Sequence, residues 1–375
     1  MKMKVSKRID SIEESGTVKL TPVINRLREQ GKKIINLAVG EPDFKTPKEI
    51  IKRTKEALDF NKTRYDAAAG LDLLREKIAG NYDCKKENVI ITNGSKQALY
   101  STFQVILDSG DEVVILNPYW VTFTEQVKLA GGEPVIVDTT GHRPDIELIK
   151  KNITKKTKAV IINSPNNPTG AVYTKQELEK IANLVIKHNL FVVSDETYDE
   201  LIYDDKKHFR ISDFSEKLKK QTISVNSFSK IYSMTGFRTG FAAADEKIID
   251  KMRILQSHLC GNVCTFAQYG ALAAFDLKKK YYIRIRKELE EKRDYAYRRA
   301  KELFGCVKPE GAFYLFAELS ENISSERFAK DLLKMHNVCV VPGEVFGSPG
   351  HIRISFAASM DDIKKGFDRI KKASG

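Results

Sequence analysis

A short apolar run and the loop after it, AVIINSPNNPTG at residues 159–170, decide the fold. The run Ala159–Asn163 is rich in Val and Ile, is too short for a helix and is apolar on both faces. Such a run is typical of a strand that is buried on both sides in a mostly parallel sheet. The loop Ser164–Gly170 contains two prolines and a glycine, which make it rigid. We expect its adjacent amides, Asn166 and Asn167, to face a ligand.

Similar apolar runs recur along the chain, and amphipathic stretches of helical period lie between them. The other predicted strands are Asn88–Thr92, Glu112–Leu116, Pro134–Val137, Leu190–Ser194, Thr222–Asn226 and Thr239–Ala243. The predicted helices are Ser95–Leu107, Val121–Ala130, Thr174–His188 and Glu246–His258. Thr174 followed by Glu177 is a capping box that opens one of these helices. This alternation predicts a large α/β/α domain around a mostly parallel sheet.

The pattern changes near residue 280, where a long charged stretch begins. The predicted elements are a helix at Tyr281–Leu303, a strand at Ala312–Ala317, a helix at Ser325–Met335, strands at Val338–Val341 and His351–Ser355, and a final helix. This order is typical of a smaller α+β domain. Because Gly40-Glu41-Pro42 separates the first residues from the main sheet, we expect those residues to pack against the C-terminal part. The predicted domains are 43–284, and 1–42 together with 285–375.

Composition and charge exclude several classes of protein. The 375 residues include 63 Lys and Arg against 50 Asp and Glu, a net charge of +13, and 42% are hydrophobic. The sequence contains no apolar run of the roughly 18 residues that a membrane span needs, and its charged N-terminus does not resemble a secretory signal. The five cysteines are an odd number without a Cys-x-x-Cys pair, which favours reduced thiols in the cytoplasm and no metal site. The positive charge is spread over amphipathic stretches such as 278–301, so it indicates solvated helix faces rather than a nucleic-acid site.

Polar groups follow the predicted strands, where ligands bind in open α/β sheets. Residues 93–97, Asn-Gly-Ser-Lys-Gln, form a small-residue turn at a helix start, which suits an anion such as phosphate. Trp120, the single tryptophan, either fills the core or offers a platform for an aromatic ring. Asp195 ends an apolar strand, where a carboxylate is costly unless it is paired or caps a helix. Lys230 follows another buried strand with Arg238 eight residues later, and desolvation beside a cation makes an amine nucleophilic.

An anion cradle, a stacking ring, amide donors, a buried carboxylate and an amine near an arginine together match the needs of pyridoxal phosphate. At these residues the chain resembles the fold-type I pyridoxal-phosphate aminotransferases of class I, in the branch of prokaryotic-type aspartate aminotransferases. The loop at 164–170 and the Ser-x-Ser-Lys motif with its arginine are jointly the most specific features. The matching stretches are 36–44, 65–70, 93–97, 117–120, 164–170, 194–198, 227–230 with Arg238, and 353–355.

The resemblance implies a role for each matching residue. Lys230 would bond to the cofactor aldehyde and move the substrate proton, Asp195 would pair with the pyridine N–H, and Tyr198 would hydrogen-bond the ring oxygen. The remaining implied cofactor-binding residues are Ser95, Lys96, Trp120, Asn167, Ser227, Arg238 and, from the neighbouring subunit, Tyr65. The implied substrate-binding residues are Gly40, Trp120, Asn167, Lys96 and Arg353, whose planar fork suits an α-carboxylate.

The resemblance also implies a homodimeric enzyme that converts amino acids and 2-oxo acids by ping-pong kinetics, with aspartate and 2-oxoglutarate as the first choice. A distal carboxylate needs a second cation, for which Lys96 is favoured over Arg8 and Arg64. Aromatic amino acids, prephenate and kynurenine are alternative substrates, and a β- or γ-lyase is an alternative reaction. A transcription regulator built on this fold is disfavoured, because the residues before Gly40 do not resemble a helix-turn-helix.

Overall fold

The computed structural model describes residues 6–17, 19–320 and 323–374. The strands are β1 (Ile35–Asn36), β2 (Val89–Thr92), β3 (Glu112–Asn117), β4 (Glu133–Thr140), β5 (Arg143–Pro144), β6 (Thr157–Asn163), β7 (Phe191–Asp195), β8 (Thr222–Ser227), β9 (Gly240–Ala243), β10 (Gly305–Cys306), β11 (Tyr314–Glu318), β12 (Val338–Cys339), β13 (Val341–Pro342) and β14 (His351–Ser355). The first helices are α1 (Lys7–Asp10), α2 (Leu20–Glu29), α3 (Lys48–Asp59), α4 (Asp72–Asn81), α5 (Gly94–Ile106), α6 (Thr122–Leu129) and α7 (Ile146–Lys151). The later helices are α8 (Lys175–His188), α9 (Glu216–Gln221), α10 (Glu246–Leu259), α11 (Thr265–Leu272), α12 (Lys279–Lys301), α13 (Ser325–His336) and α14 (Met360–Ser374).

The main sheet has eight strands in the order β2-β9-β8-β7-β6-β3-β4-β5. The strands from β8 to β4 in this order run parallel, whereas β9 is antiparallel to both of its neighbours and β5 is antiparallel to β4. Both faces of the central strands are covered, which explains why their sequences are continuously apolar rather than alternating. The predicted mostly parallel α/β sheet is therefore confirmed.

The parallel strands end in polar residues at one edge of this sheet. Asn163, the last residue of β6, lies directly beside Asp195, the last residue of β7. The strand β8 ends nearby with Ser227. Because the order of strands reverses between β6 and β3, a crevice opens at their carboxyl ends, as in other open α/β sheets.

A second sheet packs beside the first. It contains four antiparallel strands in the order β10-β11-β14-β13, and helices α12, α13 and α14 pack around it. The strand β1 pairs in parallel with β12, where Ile35 lies opposite Val338. Residues 35 and 36 therefore join the C-terminal part of the chain, whereas α1 contacts α6 beside the main sheet. The division of the chain into domains 43–284, and 1–42 with 285–375, remains a prediction.

Local signals in the sequence fix several helix ends. The side chain of Thr174 accepts a hydrogen bond from the N–H of Glu177, and the Glu177 carboxylate accepts one from the N–H of Thr174. This confirms the predicted capping box of α8. The helix ends at Asn189, whose φ of 53° is the left-handed conformation that asparagine tolerates. In the described ranges, no helix has both the length and the hydropathy needed to cross a bilayer.

Candidate active site

A cavity of about 440 Å³ lies at the carboxyl edge of the main sheet, between this sheet and the second one. It brings together nearly all of the residues that the sequence analysis selected. These are Gly40, Ser95, Lys96, Trp120, Asn167, Asp195, Tyr198, Ser227, Lys230, Arg238 and Arg353. Tyr65 does not line the cavity within this chain, and 96% of its surface is exposed.

One end of the cavity is built for an anion. The helix α5 begins there without an acidic residue in its first turn, and Asn93 makes no side-chain cap, so the first N–H groups remain available. Arg238 lies so close to this turn that a Cβ on Gly94 would be 2.5 Å from its Nη2 atom. A Cβ on Gly240 would likewise be 2.5 Å from the backbone nitrogen of Ser95. The backbone contact requires glycine at position 240, and a φ of 72° favours glycine at position 94. Together with Arg238, this turn forms a cationic cradle that suits an anion such as phosphate.

The amine of Lys230 faces the same cavity. Its Nζ donates a hydrogen bond to the carbonyl oxygen of Gly40 at 2.5 Å. Burial, together with the positive charges of Arg353 and Arg238, lowers the pKa of Lys230 to about 8. A far larger fraction of this amine than of an ordinary lysine is therefore neutral and nucleophilic near neutral pH.

Asp195 is a buried carboxylate at the end of β7, with 4% of its surface exposed. It accepts a hydrogen bond from the N–H of Thr197 at 3.1 Å. Burial raises its pKa to about 6, and the hydrogen bonds from Thr197 only partly oppose this effect. A protonated ring nitrogen placed against it would supply the opposite charge that such a carboxylate needs.

The guanidinium of Arg353 is buried with 2% of its surface exposed. Its Nη1 donates to the side-chain oxygen of Asn167 and its Nη2 to the carbonyl oxygen of Ala38, both at 2.9 Å. Within the described residues it forms no ion pair with a carboxylate, and its Nε has no hydrogen-bond partner. A buried cation with neutral partners is costly, so this arginine is suited to a carboxylate that enters the cavity.

Asn167 is held so that its amide nitrogen is directed away from Arg353. Its side-chain oxygen accepts from Arg353, and its backbone N–H donates to the side-chain oxygen of Asn163 at 2.9 Å. The amide N–H groups are thereby left for a ligand oxygen. Tyr198 offers a second donor, and its hydroxyl lies 2.9 Å from the hydroxyl of Tyr314.

Lys96 and Trp120 form another part of the cavity wall. The Nζ atom of Lys96 lies 5.2 Å from the centre of the Trp120 ring, and the Trp120 ring packs edge-on against Phe123. Burial, and the charge of Arg238, lower the pKa of Lys96. Of the alternative cations, Arg64 does not line the cavity, and the side chain of Arg8 lies outside the described part of the chain.

Several residues of this cavity could not be recognised from the sequence. Thr17, Leu20, Thr21 and Ile24 reach it from the segment around α2, and Tyr314 reaches it from β11. The amphipathic pattern of α2 indicates a helix with one buried face, but nothing in the sequence indicates which surface it covers. Tyr314 looks like an ordinary core residue of an apolar strand.

Comparisons with known proteins agree with this geometry. Residues 32–370 match the family model of class I and II aminotransferases. The aspartate aminotransferase of Bacillus subtilis (strain 168) is 42% identical, covering 99% of this chain and 98% of that protein. The probable aspartate/prephenate aminotransferase of Aquifex aeolicus (strain VF5) is 40% identical, covering 100% and 99%. A structure of the aspartate aminotransferase from Thermus thermophilus with maleate superposes with a TM-score of 0.94, at 36% identity, and covers 99% of this chain and all of that one.

The chain belongs to the class I and II aminotransferase family. It is an aminotransferase, as the resemblance predicted, and the fold-type I assignment is confirmed by the solved structures. Family membership implies pyridoxal 5′-phosphate as the cofactor. The anion cradle, the buried carboxylate of Asp195 and the amine of Lys230 fit that group.

Proposed function

We propose that this enzyme uses pyridoxal 5′-phosphate to move the amino group of an L-amino acid, aspartate first, to 2-oxoglutarate. One observation carries the proposal. One cavity is faced by the amine of Lys230, whose pKa is lowered, by the buried carboxylate of Asp195 and by the guanidinium of Arg353. Among the described residues, this guanidinium has no carboxylate partner. These are the groups needed to hold an aldehyde cofactor and an amino acid side by side.

The residues of the cavity divide into those that hold the cofactor and those that hold the substrate. The phosphate group would lie in the cradle made by Ser95, the backbone of Lys96, Ser227 and Arg238. Asp195 would keep the ring nitrogen protonated, because an opposite charge favours the charged form. When bound, the cofactor supplies an electron-withdrawing ring that stabilises negative charge at the substrate α-carbon.

The other polar groups would act on the ring oxygen and on the proton that moves. Asn167 and Tyr198 would donate hydrogen bonds to the ring oxygen, and Trp120 would stack on the ring. Lys230 would remove the proton from the substrate α-carbon as a general base and deliver it, as a general acid, to the cofactor carbon that carried the aldehyde. Arg353 would bind the α-carboxylate through its planar fork and orient the substrate for that transfer. An amino acid and then a 2-oxo acid react in turn at the same cavity, which gives ping-pong kinetics.

Two features bear on the choice of substrate. Lys96 places a cation at the cavity wall, where it would bind the distal carboxylate of aspartate, and the relatives named above are aspartate or aspartate/prephenate aminotransferases. Leu20 and Ile24 add an apolar surface to the same cavity. This surface favours aromatic amino acids or prephenate as the second candidate substrates.

We also propose that the enzyme acts as a cytoplasmic homodimer with active sites shared between subunits. Tyr65 would reach the phosphate bound by the partner subunit, which fits its 96% exposure in a single chain. Phe60, just after α3, is 74% exposed, and Leu58 is 42% exposed. Neighbouring exposed apolar side chains of this kind are typical of an interaction surface.

Absorption spectroscopy with a panel of amino donors tests the function. The purified protein should be yellow with the cofactor, and each accepted donor should convert this band to that of the amine form. Lys230→Ala should lose the band, whereas Lys219→Ala, at a separate cavity, should keep it. A colourless wild-type protein that takes up no cofactor would refute the proposal. Release of ammonia without a 2-oxo acid acceptor would indicate a lyase instead.

A further inference from the structure

Tyr314 lies between Tyr198, which is proposed to bind the cofactor, and Arg353, which is proposed to bind the substrate. It is the first residue of β11, which pairs with β14 so that Phe316 lies opposite Arg353 and Tyr314 opposite Ser355. Tyr314 and Arg353 are therefore diagonal neighbours on adjacent strands, within reach of each other. Tyr314 is 1% exposed, yet it lines the cavity.

Tyr314 lies close to three parts of the cavity. Its hydroxyl lies 2.9 Å from the hydroxyl of Tyr198. Its ring lies under the guanidinium of Arg353, with the central carbon 4.2 Å from the ring centre. A Cβ on Gly40 would lie 3.3 Å from its hydroxyl oxygen, so that segment also passes close to it.

The direction of the hydrogen bond between the two tyrosines follows from proton counting. A tyrosine hydroxyl has one proton to donate. If Tyr198 donates its proton to the ring oxygen of the cofactor, as proposed above, the 2.9 Å contact is a hydrogen bond only when Tyr314 is the donor. A hydroxyl that accepts one hydrogen bond becomes a stronger donor of its own proton.

The ring of Tyr314 packs against the guanidinium of Arg353. Arg353 is held at Nη1 by Asn167 and at Nη2 by Ala38, while its Nε has no partner among the described residues. The ring faces of Tyr314 and Phe346 cover the guanidinium at 4.2 and 4.9 Å. An aromatic face against a desolvated guanidinium contributes electrostatic attraction and fixes its plane.

We propose that Tyr314 is a positioning residue that orients the Tyr198 hydroxyl toward the cofactor and the Arg353 guanidinium toward the substrate carboxylate. The hydroxyl performs the first task and the ring performs the second. This inference rests on the proposed function, because it assigns Tyr198 to the cofactor and Arg353 to the substrate. One side chain thus sets the relative position of two ligands that must react.

Tyr314→Phe tests the hydroxyl alone, because it keeps the ring. The affinity for pyridoxal phosphate should fall about three- to tenfold, the usual effect of one lost hydrogen bond. The pH at which the visible band of the bound cofactor titrates should also rise, because a weaker Tyr198 donor stabilises negative charge on the ring oxygen less.

A matched control is Tyr203→Phe, which removes another buried tyrosine hydroxyl, bonded to the carbonyl of Ala312, outside the cavity. The control should leave both measurements unchanged.

Tyr314→Leu tests the ring. The dissociation constant of maleate, a dicarboxylate that carries no amino group, should rise roughly five- to tenfold in Tyr314→Leu and by less than about twofold in Tyr314→Phe. Calorimetry measures both values, and circular dichroism establishes that each variant is folded.

The outcomes separate this inference from the proposed function. A wild-type protein that takes up no cofactor overturns the proposed function and the hydroxyl assignment with it. A normal wild-type protein with identical titrations in Tyr314→Phe and Tyr203→Phe overturns the hydroxyl assignment alone. Equal maleate affinities for Tyr314→Leu and wild type overturn the ring assignment.

Discussion

Lys230 and Gly40 are joined by a hydrogen bond of 2.5 Å between the amine and the carbonyl oxygen, although 190 residues separate them in the chain. Two residues earlier, the carbonyl oxygen of Ala38 accepts a hydrogen bond from Arg353. One short backbone segment therefore contacts both the proposed nucleophile and the proposed substrate clamp. The charge of Arg353 in turn lowers the pKa of Lys230, so the electrostatics of the two groups are coupled.

The first prediction concerns the pH dependence of cofactor uptake. Only the neutral amine attacks an aldehyde, and the pKa of Lys230 is lowered to about 8 by burial and by Arg353 and Arg238. The rate at which cofactor-free protein captures pyridoxal phosphate should rise with pH and level off above about pH 8. Arg353→Met removes a positive charge, so it should shift this midpoint upward. Stopped-flow absorption measures the rate, and a midpoint near the ordinary value for lysine would contradict the assignment.

The second prediction concerns the role of Arg353 itself. Arg353→Ala should lower kcat/KM for amino acids by about a hundredfold or more, because two charge-assisted hydrogen bonds to the carboxylate are lost. Cofactor affinity should change far less. Arg353→Lys keeps the charge without the fork and should give an intermediate loss. Steady-state kinetics and a cofactor titration compare the two effects, and equal losses would show that the residue is structural.

The third prediction concerns the selection of acidic substrates by Lys96. Lys96→Met keeps an unbranched chain over Trp120 and removes only the charge. The value of kcat/KM should fall roughly ten- to a hundredfold for aspartate and less than about threefold for phenylalanine. Lys187→Met, on the exposed end of α8, is the control for the same chemical change. An equal loss with both amino acids would remove Lys96 as the selecting residue.

The fourth prediction concerns sharing of the active site between subunits. Lys230→Ala and Tyr65→Ala should each form weakly active or inactive dimers. A mixture that exchanges subunits should regain about a quarter of the wild-type sites, because one site of each hybrid dimer carries neither change. Activity is measured at limiting cofactor, and sedimentation establishes the dimer. If mixing restores nothing, Tyr65 acts within its own subunit or not at all.

Much of the fold could be predicted from the sequence, because buried parallel strands have an unmistakable composition. The strands β6 to β8 lie within two residues of their predicted positions. The strand β11 begins at Tyr314 rather than at Ala312, because Ala312 has a positive φ of 56° that strand geometry does not permit. The predicted strand Val338–Val341 is two short strands, since its halves pair with β1 and with β14.

The site was predictable where a motif follows a strand, and unpredictable where distant elements meet. Asp195, Lys230 and Asn167 each follow a recognisable apolar run, and the sheet brings these runs together. The contacts of Tyr314 with Tyr198 and Arg353 depend on the register between β11 and β14. No local property of the sequence specifies that register.

The hydrogen bond between Ala38 and Arg353 constrains when the cavity can be completed during synthesis of the chain. Ala38 is synthesised long before Arg353, its hydrogen-bond partner, which lies 315 residues later in the chain. For most of translation, the nascent chain therefore contains the early residues of the cavity wall but not Arg353, which holds Ala38 in place. The capacity to bind an amino acid therefore requires synthesis as far as β14, and a chain terminated before β14 should lack it.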